Sequence, residues 1–140
     1  METSDVRKRV VETIDRARRT ARERRIRMDA AAADFAGFLE RVGVPLCRQI
    51  AGALKAAGYP FTVNTPEGAV RLASDRSDDY VELTLESDGE DAYVAGRTRR
   101  TRGRRVIESE APVRRCPVRD VTEDDVLTFL MKELEPFVER

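Results

Sequence analysis

A heptad seam near the start of the chain sets the tightest limit on its fold. Val10, Ile14, Ala17, Ala21, Arg24, Met28, Ala31, Phe35, Phe38 and Val42 follow one another at alternating steps of four and three. Nine of these ten are apolar, and no glycine or proline interrupts the pattern before Gly37. That spacing lines one face of a single helix, predicted over 4–42. Such a helix is about 57 Å long at about 1.5 Å per residue. A compact chain of 140 residues has a radius of gyration of only about 14 Å and is roughly 37 Å across. The helix must overhang its own domain or pack on something outside it.

The seam changes character along its length. Its middle is small (Ala17, Ala21, Ala31) and lets a second helix approach closely, whereas Phe35 and Phe38 belong to a thicker core. Arg24 is its one defect, either turned out of the seam or fixing a pairing register by meeting an acid on another helix. Ser4 is the expected N-cap, with Asp5 in the first turn. Gly43-Val44-Pro45 reads as a helix stop followed by a new start. A short second helix over 46–57 should then fold back as a helical hairpin, shielding the seam from about Met28 to Val42 and leaving Val10 to Ala21 without cover.

From Tyr59 the period falls to two. Strands are expected at 59–63, 69–73, 80–86, 91–100 and 104–113, an antiparallel meander of four or five strands with its turns at glycines and prolines. In the third, Val81, Leu83 and Leu85 share one face, and Tyr80, Glu82, Thr84 and Glu86 share a face expected to be solvated. Thr122 should cap a last helix whose buried stripe is Leu127, Leu130, Met131, Leu134 and Val138, with Pro136 loosening or ending its final turn. The fold class is α+β in a single domain: a long N-terminal helix and a short second helix, an antiparallel meander of four to five strands, and a C-terminal helix. Residues 1–27 are a protruding, oligomerising segment of that domain.

Charge is blocky although it sums to zero. Residues 1–28 hold ten basic and five acidic side chains, 67–91 hold two and nine, 97–119 hold nine and two, and 120–140 hold two and seven. With no histidine, the commonest general base and the usual zinc ligand are both missing. Glycine spacing fits neither a phosphate-binding loop nor a dinucleotide fingerprint. The acids of 75–79 and 88–91 read as solvated turns, and no metal ligand set is assigned. Cys47 reads as a small core residue. Cys116 sits beside Arg114 and Arg115, which favour a thiolate, but no base accompanies it. Neither an enzyme nor a cofactor is expected. No apolar run is long enough to span a membrane, and the start does not read as a secretory leader, so the chain is expected to be cytoplasmic.

One stretch is a candidate for binding chemistry. Arg97, Arg99, Arg100, Arg102, Arg104 and Arg105 crowd a hairpin around Gly103, and six like charges repel unless acids face them. Those acids are expected within the assembly itself, for example Glu108, Glu110 or the last helix. Aromatic residues for base stacking are not interleaved with them. The sequence therefore reads as a non-enzymatic homodimer that associates through Val10, Ile14, Ala17 and Ala21. It would present its sheet or Arg-rich hairpin to another protein. The alternative is a nucleic-acid-binding module using 97–105 and the Arg-rich start of the first helix.

Overall fold

The computed structural model describes residues 1–139. Helix α1 runs from Thr3 to Phe38 without a break at Arg24. Its N-cap is Glu2, two residues before the expected Ser4, and Glu2 makes no side-chain capping bond. No hairpin follows. Leu39–Gly43 form a π-helical turn, and α2 (Val44–Ala56) continues from it, with Phe38, Leu39, Gly43 and Val44 all at right-handed helical angles. The Val44 N–H reaches back five residues to the Leu39 carbonyl.

Pro45 explains the wider turn. A proline inside a helix brings no N–H, and its ring presses on the carbonyl four residues back. A π-turn ahead of it loosens the coil without ending it. Gly43 has a packing role and does not cap. It is buried, and an added Cβ would lie 3.1 Å from Leu39 Cδ2 and 3.6 Å from Val70 Cγ1. The two helices thus make one rod of about 80 Å.

The sheet is a five-stranded antiparallel meander in the order β1 (Phe61–Asn64), β2 (Val70–Ser74), β3 (Tyr80–Ser87), β4 (Ala92–Arg102), β5 (Arg105–Pro112). One face packs on the helices. Val70, Leu72, Val81, Leu83 and Val94 meet Phe35, Phe38, Leu46, Cys47 and Ile50 in one core. The Phe35 and Phe38 rings stack with centroids 5.7 Å apart. Burial of Cys47 pushes its thiol up to about 12, so it stays neutral and acts as a small apolar residue.

Helix α3 (Glu123–Val138) closes the core through Val126, Leu130 and Leu134. Its buried stripe is rotated from the expected one, since Leu127 and Met131 face outward at 37% and 47% exposure. The rotation lets Phe129 lie over Gly96, where an added Cβ would clash with the ring. Thr122 caps the helix as expected, in a reciprocal box with Asp125. The Thr122 N–H, and secondarily the Arg114 guanidinium, hold the Asp125 carboxyl below its ordinary range. Pro136 falls in the last turn, and the helix continues two residues past it.

Candidate interaction surfaces

The seam residues do not share one fate. Every residue from Thr3 to Arg27 is exposed, Met28 is the first half-buried one, and Phe35 and Phe38 are buried. The exposed stretch is about 38 Å long. Val10 and Ile14 stand 50% and 43% exposed on it, and Ala17 and Ala21 follow along the same stripe. Val6, 45% exposed, extends the stripe by one turn. It falls outside the strict heptad, and that is why the seam pattern misses it. The stripe is continuous with the face that α1 buries in its own domain.

Arg24 meets an acid, but one of its own chain. Arg24 and Arg27 bracket Glu90 at 3.7 and 3.6 Å, at the turn between β3 and β4. Beside that turn is a groove of about 590 Å³ whose lining includes Arg27, Met28, Ala31, Asp34, Asp91 and Cys116. Asp88 accepts from the backbone N–H groups of Asp91 and Glu90 and faces Arg115. These contacts, the backbone ones foremost, lower its carboxyl below the ordinary range. The acids of 88–91 thus shape a turn and anchor α1. Among the described residues no cluster of three or more acids and cysteines is arranged to hold a metal ion. Desolvation raises the Cys116 thiol despite Arg114, against the expectation of a favoured thiolate.

The sheet's other face is less open than alternation suggests. Glu82 and Thr84 are both buried. Register puts Arg71, Glu82, Arg97 and Glu110 in one row across β2 to β5, with signs alternating. Arg71 Nη2 donates to Glu82 Oε2 at 3.0 Å, and Arg97 Nε donates to Glu110 Oε2 at 3.2 Å. Arg97 Nη2 also lies 3.4 Å from Glu86. Arg71 stacks on Tyr80 at 4.0 Å. The long stems of the arginines cover the strand backbone while their heads pair with acids.

The six hairpin arginines divide into two groups. Arg97 is held by Glu110 and Glu86, and Arg99 lies 3.7 Å from buried Asp79. Asp79 also accepts from the backbone N–H and hydroxyl of Thr101, each at 2.9 Å, tying the tip end of β4 to the loop before β3. Sequence reasoning passed over Asp79 as a solvated turn residue. Arg100, Arg102, Arg104 and Arg105 make no ion pair among the described residues. Glu108, the expected counter-ion, pairs in register with Arg99 but makes no ion pair with any described residue. Arg102 and Arg105 are cross-strand partners flanking Gly103, whose φ of +65° suits the first central position of a tight hairpin turn. Like charges so placed oppose each other.

The hairpin tip and the overhang point apart. Thr98 to Arg102 run toward the sheet end where β1 begins, and the β3–β4 turn that meets Arg24 lies at the opposite end. No described helix is long and apolar enough to cross a membrane. No family model, curated protein or solved structure matches the chain.

Proposed function

We propose that the chain is a non-enzymatic, self-associating interaction protein. Its overhanging helix joins copies, and its folded domain meets a macromolecular partner. The observation that carries this reading is the exposed stripe of Val6, Val10, Ile14, Ala17 and Ala21, which continues the face α1 buries in its own core. An apolar stripe of this length on a free helix is a docking surface, because a helix gains most of its stability from covering such a face. Support for a non-catalytic role comes from how the reactive groups are used. Asp79 and Asp88 accept structural hydrogen bonds, and the Cys47 thiol is held neutral. Light scattering at micromolar concentration should give about twice the 15.8 kDa chain mass, and Ile14→Asp should return it to the single-chain value with the circular dichroism of a folded domain. A wild-type chain that stays at the single-chain mass overturns the reading.

A second reading, duplex nucleic-acid binding, is favoured by one observation: Arg100, Arg102, Arg104 and Arg105 at the hairpin tip make no ion pair among the described residues. Its test is salt dependence. Replacing Arg102, Arg104 and Arg105 with Ala should flatten the plot of log affinity against log salt by about 2–3 units if they contact phosphate. An unchanged slope, or no measurable binding by the parent, removes this reading.

A further inference from the structure

We infer that the β4–β5 hairpin grips the phosphate backbone of duplex DNA with one side only: Arg100, Arg102 and Arg105 on the helix side of the sheet, with Arg104 at the turn; this rests on the nucleic-acid reading above and names its contacts. Strand alternation sorts the six arginines. Along β4, Phe129 lies over Gly96, and buried Thr98 pairs in register with the core residue Val81. Arg100 and Arg102 follow at the same alternate positions and so project on the helix side. Register puts Arg105 beside Arg102 and Ile107 beside Arg100 on that side. Arg97 and Arg99 belong to the opposite face, with Tyr80, Glu82, Glu108 and Glu110.

The two sides differ in what balances their charge. On the open face Arg97 is held by Glu86 and Glu110, Arg99 lies against Asp79, and Glu108 adds a further acid. A phosphate approaching that face meets carboxylates first. None of the five strands places an acid on the helix side. Helix α3 brings acids to that layer, but it crosses the sheet from Phe129 over Gly96 of β4 to Phe137 against Phe61 of β1. Its last turns therefore run toward the far edge, and Glu133, Glu135 and Glu139 make no ion pair among the described residues. In the loop next to the tip, Asp75 and Asp79 already accept from Thr62 and Thr101.

The chemistry of this side selects the partner. Arg100 and Arg102 stand about 7 Å apart along the strand, and Arg102 and Arg105 about 5 Å apart across it. Each spacing is within the Debye length of about 8 Å at physiological salt, so the charges act on an anion together. The helix side of the tip holds no aromatic residue, and its one apolar side chain, Ile107, is half-buried. An acidic protein finds no aromatic or apolar anchor there to build a desolvated centre on, and unpaired bases find nothing to stack on. A duplex needs neither. Its phosphates form a dense line of charge, and each guanidinium that neutralises one releases a counter-ion.

Fluorescence anisotropy of the full chain with a short labelled DNA duplex, repeated over a salt series, tests the assignment. Arg100→Ala, Arg102→Ala and Arg105→Ala should each flatten the plot of log affinity against log salt by about 0.9 for each chain engaged. Arg100→Lys should restore the parent slope, and Arg97→Ala should leave it unchanged with the circular dichroism of a folded domain. If Arg97→Ala or Arg99→Ala flattens the slope as much as Arg102→Ala does, or if Arg100→Ala leaves it unchanged, the one-sided grip is overturned and DNA binding by the hairpin still stands. A single strand that binds more tightly than the duplex overturns the duplex assignment. Polyglutamate that displaces the duplex at equal charge concentration overturns the phosphate assignment in favour of an acidic protein. No measurable binding by the parent overturns this inference and the nucleic-acid reading together.

Discussion

The two halves of α1 carry the same heptad spacing and have opposite surroundings. From Met28 to Phe38 the seam faces a sheet and is buried, whereas from Val6 to Ala21 it faces solvent. The pattern therefore does not decide what covers it. Cover comes from the rest of the chain, and among the described residues that is five strands and α3, since α2 continues the same rod. Side-chain size follows the difference. Aromatic rings fill the half that meets the sheet, and Ala17 and Ala21 stand on the exposed half.

The sharpest way to break this contrast is a matched pair of substitutions. Phe35→Ala removes a ring stacked on Phe38 inside the core, and should lower unfolding stability by about 3–5 kcal/mol in chemical denaturation. Ile14→Asp should leave the stability of the isolated domain within about 0.5 kcal/mol, since the side chain has nothing to unpack from. A loss of several kcal/mol at Ile14 under conditions where the protein is monomeric would refute the division of the helix.

A smaller effect tests how closely the buried half is fitted. Gly96→Ala would place a methyl inside the Phe129 ring. Either α3 shifts or the ring leaves its rotamer, at about 1–3 kcal/mol. If Gly96→Ala is neutral, α3 is not seated tightly on β4, and the aromatic cover on that side contributes little.

At about 1 kcal/mol, within a range of roughly 0.5–2 kcal/mol, comes Thr122→Ala, which removes half of the reciprocal cap of α3. Because Asp125 titrates below its ordinary value, its contribution is present at neutral pH and fades as pH falls through that lowered value. The Thr122 N–H that lowers Asp125 survives in the Ala variant, so parent and variant should both lose this contribution below about pH 4, with the difference between them largely unchanged. Helix α1, which starts without a side-chain cap, has no equivalent loss.

Much of this architecture was legible in the sequence, because period-two alternation and turn glycines place all five strands within two residues of where they lie. The helical hairpin was not. Gly43-Val44-Pro45 carries the local signature of a stop, but Gly43 is there because α1 passes close to Val70, and a π-turn carries the helix past Pro45. Local chemistry at a glycine does not distinguish a cap from a close approach. Likewise, the stripe of α3 is offset because both Leu127 and Val126 fit a helical period, and core packing buries Val126 while leaving Leu127 outside. At the candidate surfaces the exposed stripe of α1 was readable in full apart from Val6. The split among the hairpin arginines was not, since the pairing of Arg99 with Asp79 depends on a loop 20 residues away in sequence.

The smallest effect is expected where the two halves of α1 meet. Glu90→Ala removes the acid between Arg24 and Arg27, two exposed ion pairs that together contribute no more than about 1 kcal/mol. Global stability should hardly move, so denaturation is the wrong measurement. Hydrogen exchange at residues 22–28 is the right one, because it reports the opening of a few turns without unfolding the core. In monomeric protein, obtained with Ile14→Asp, Glu90→Ala should speed exchange in that window and leave Phe35 to Ile50 unchanged. The same comparison with the stripe intact should show a smaller acceleration if a second helix also covers the junction. Equal acceleration in the two backgrounds would place any partner helix short of Arg24.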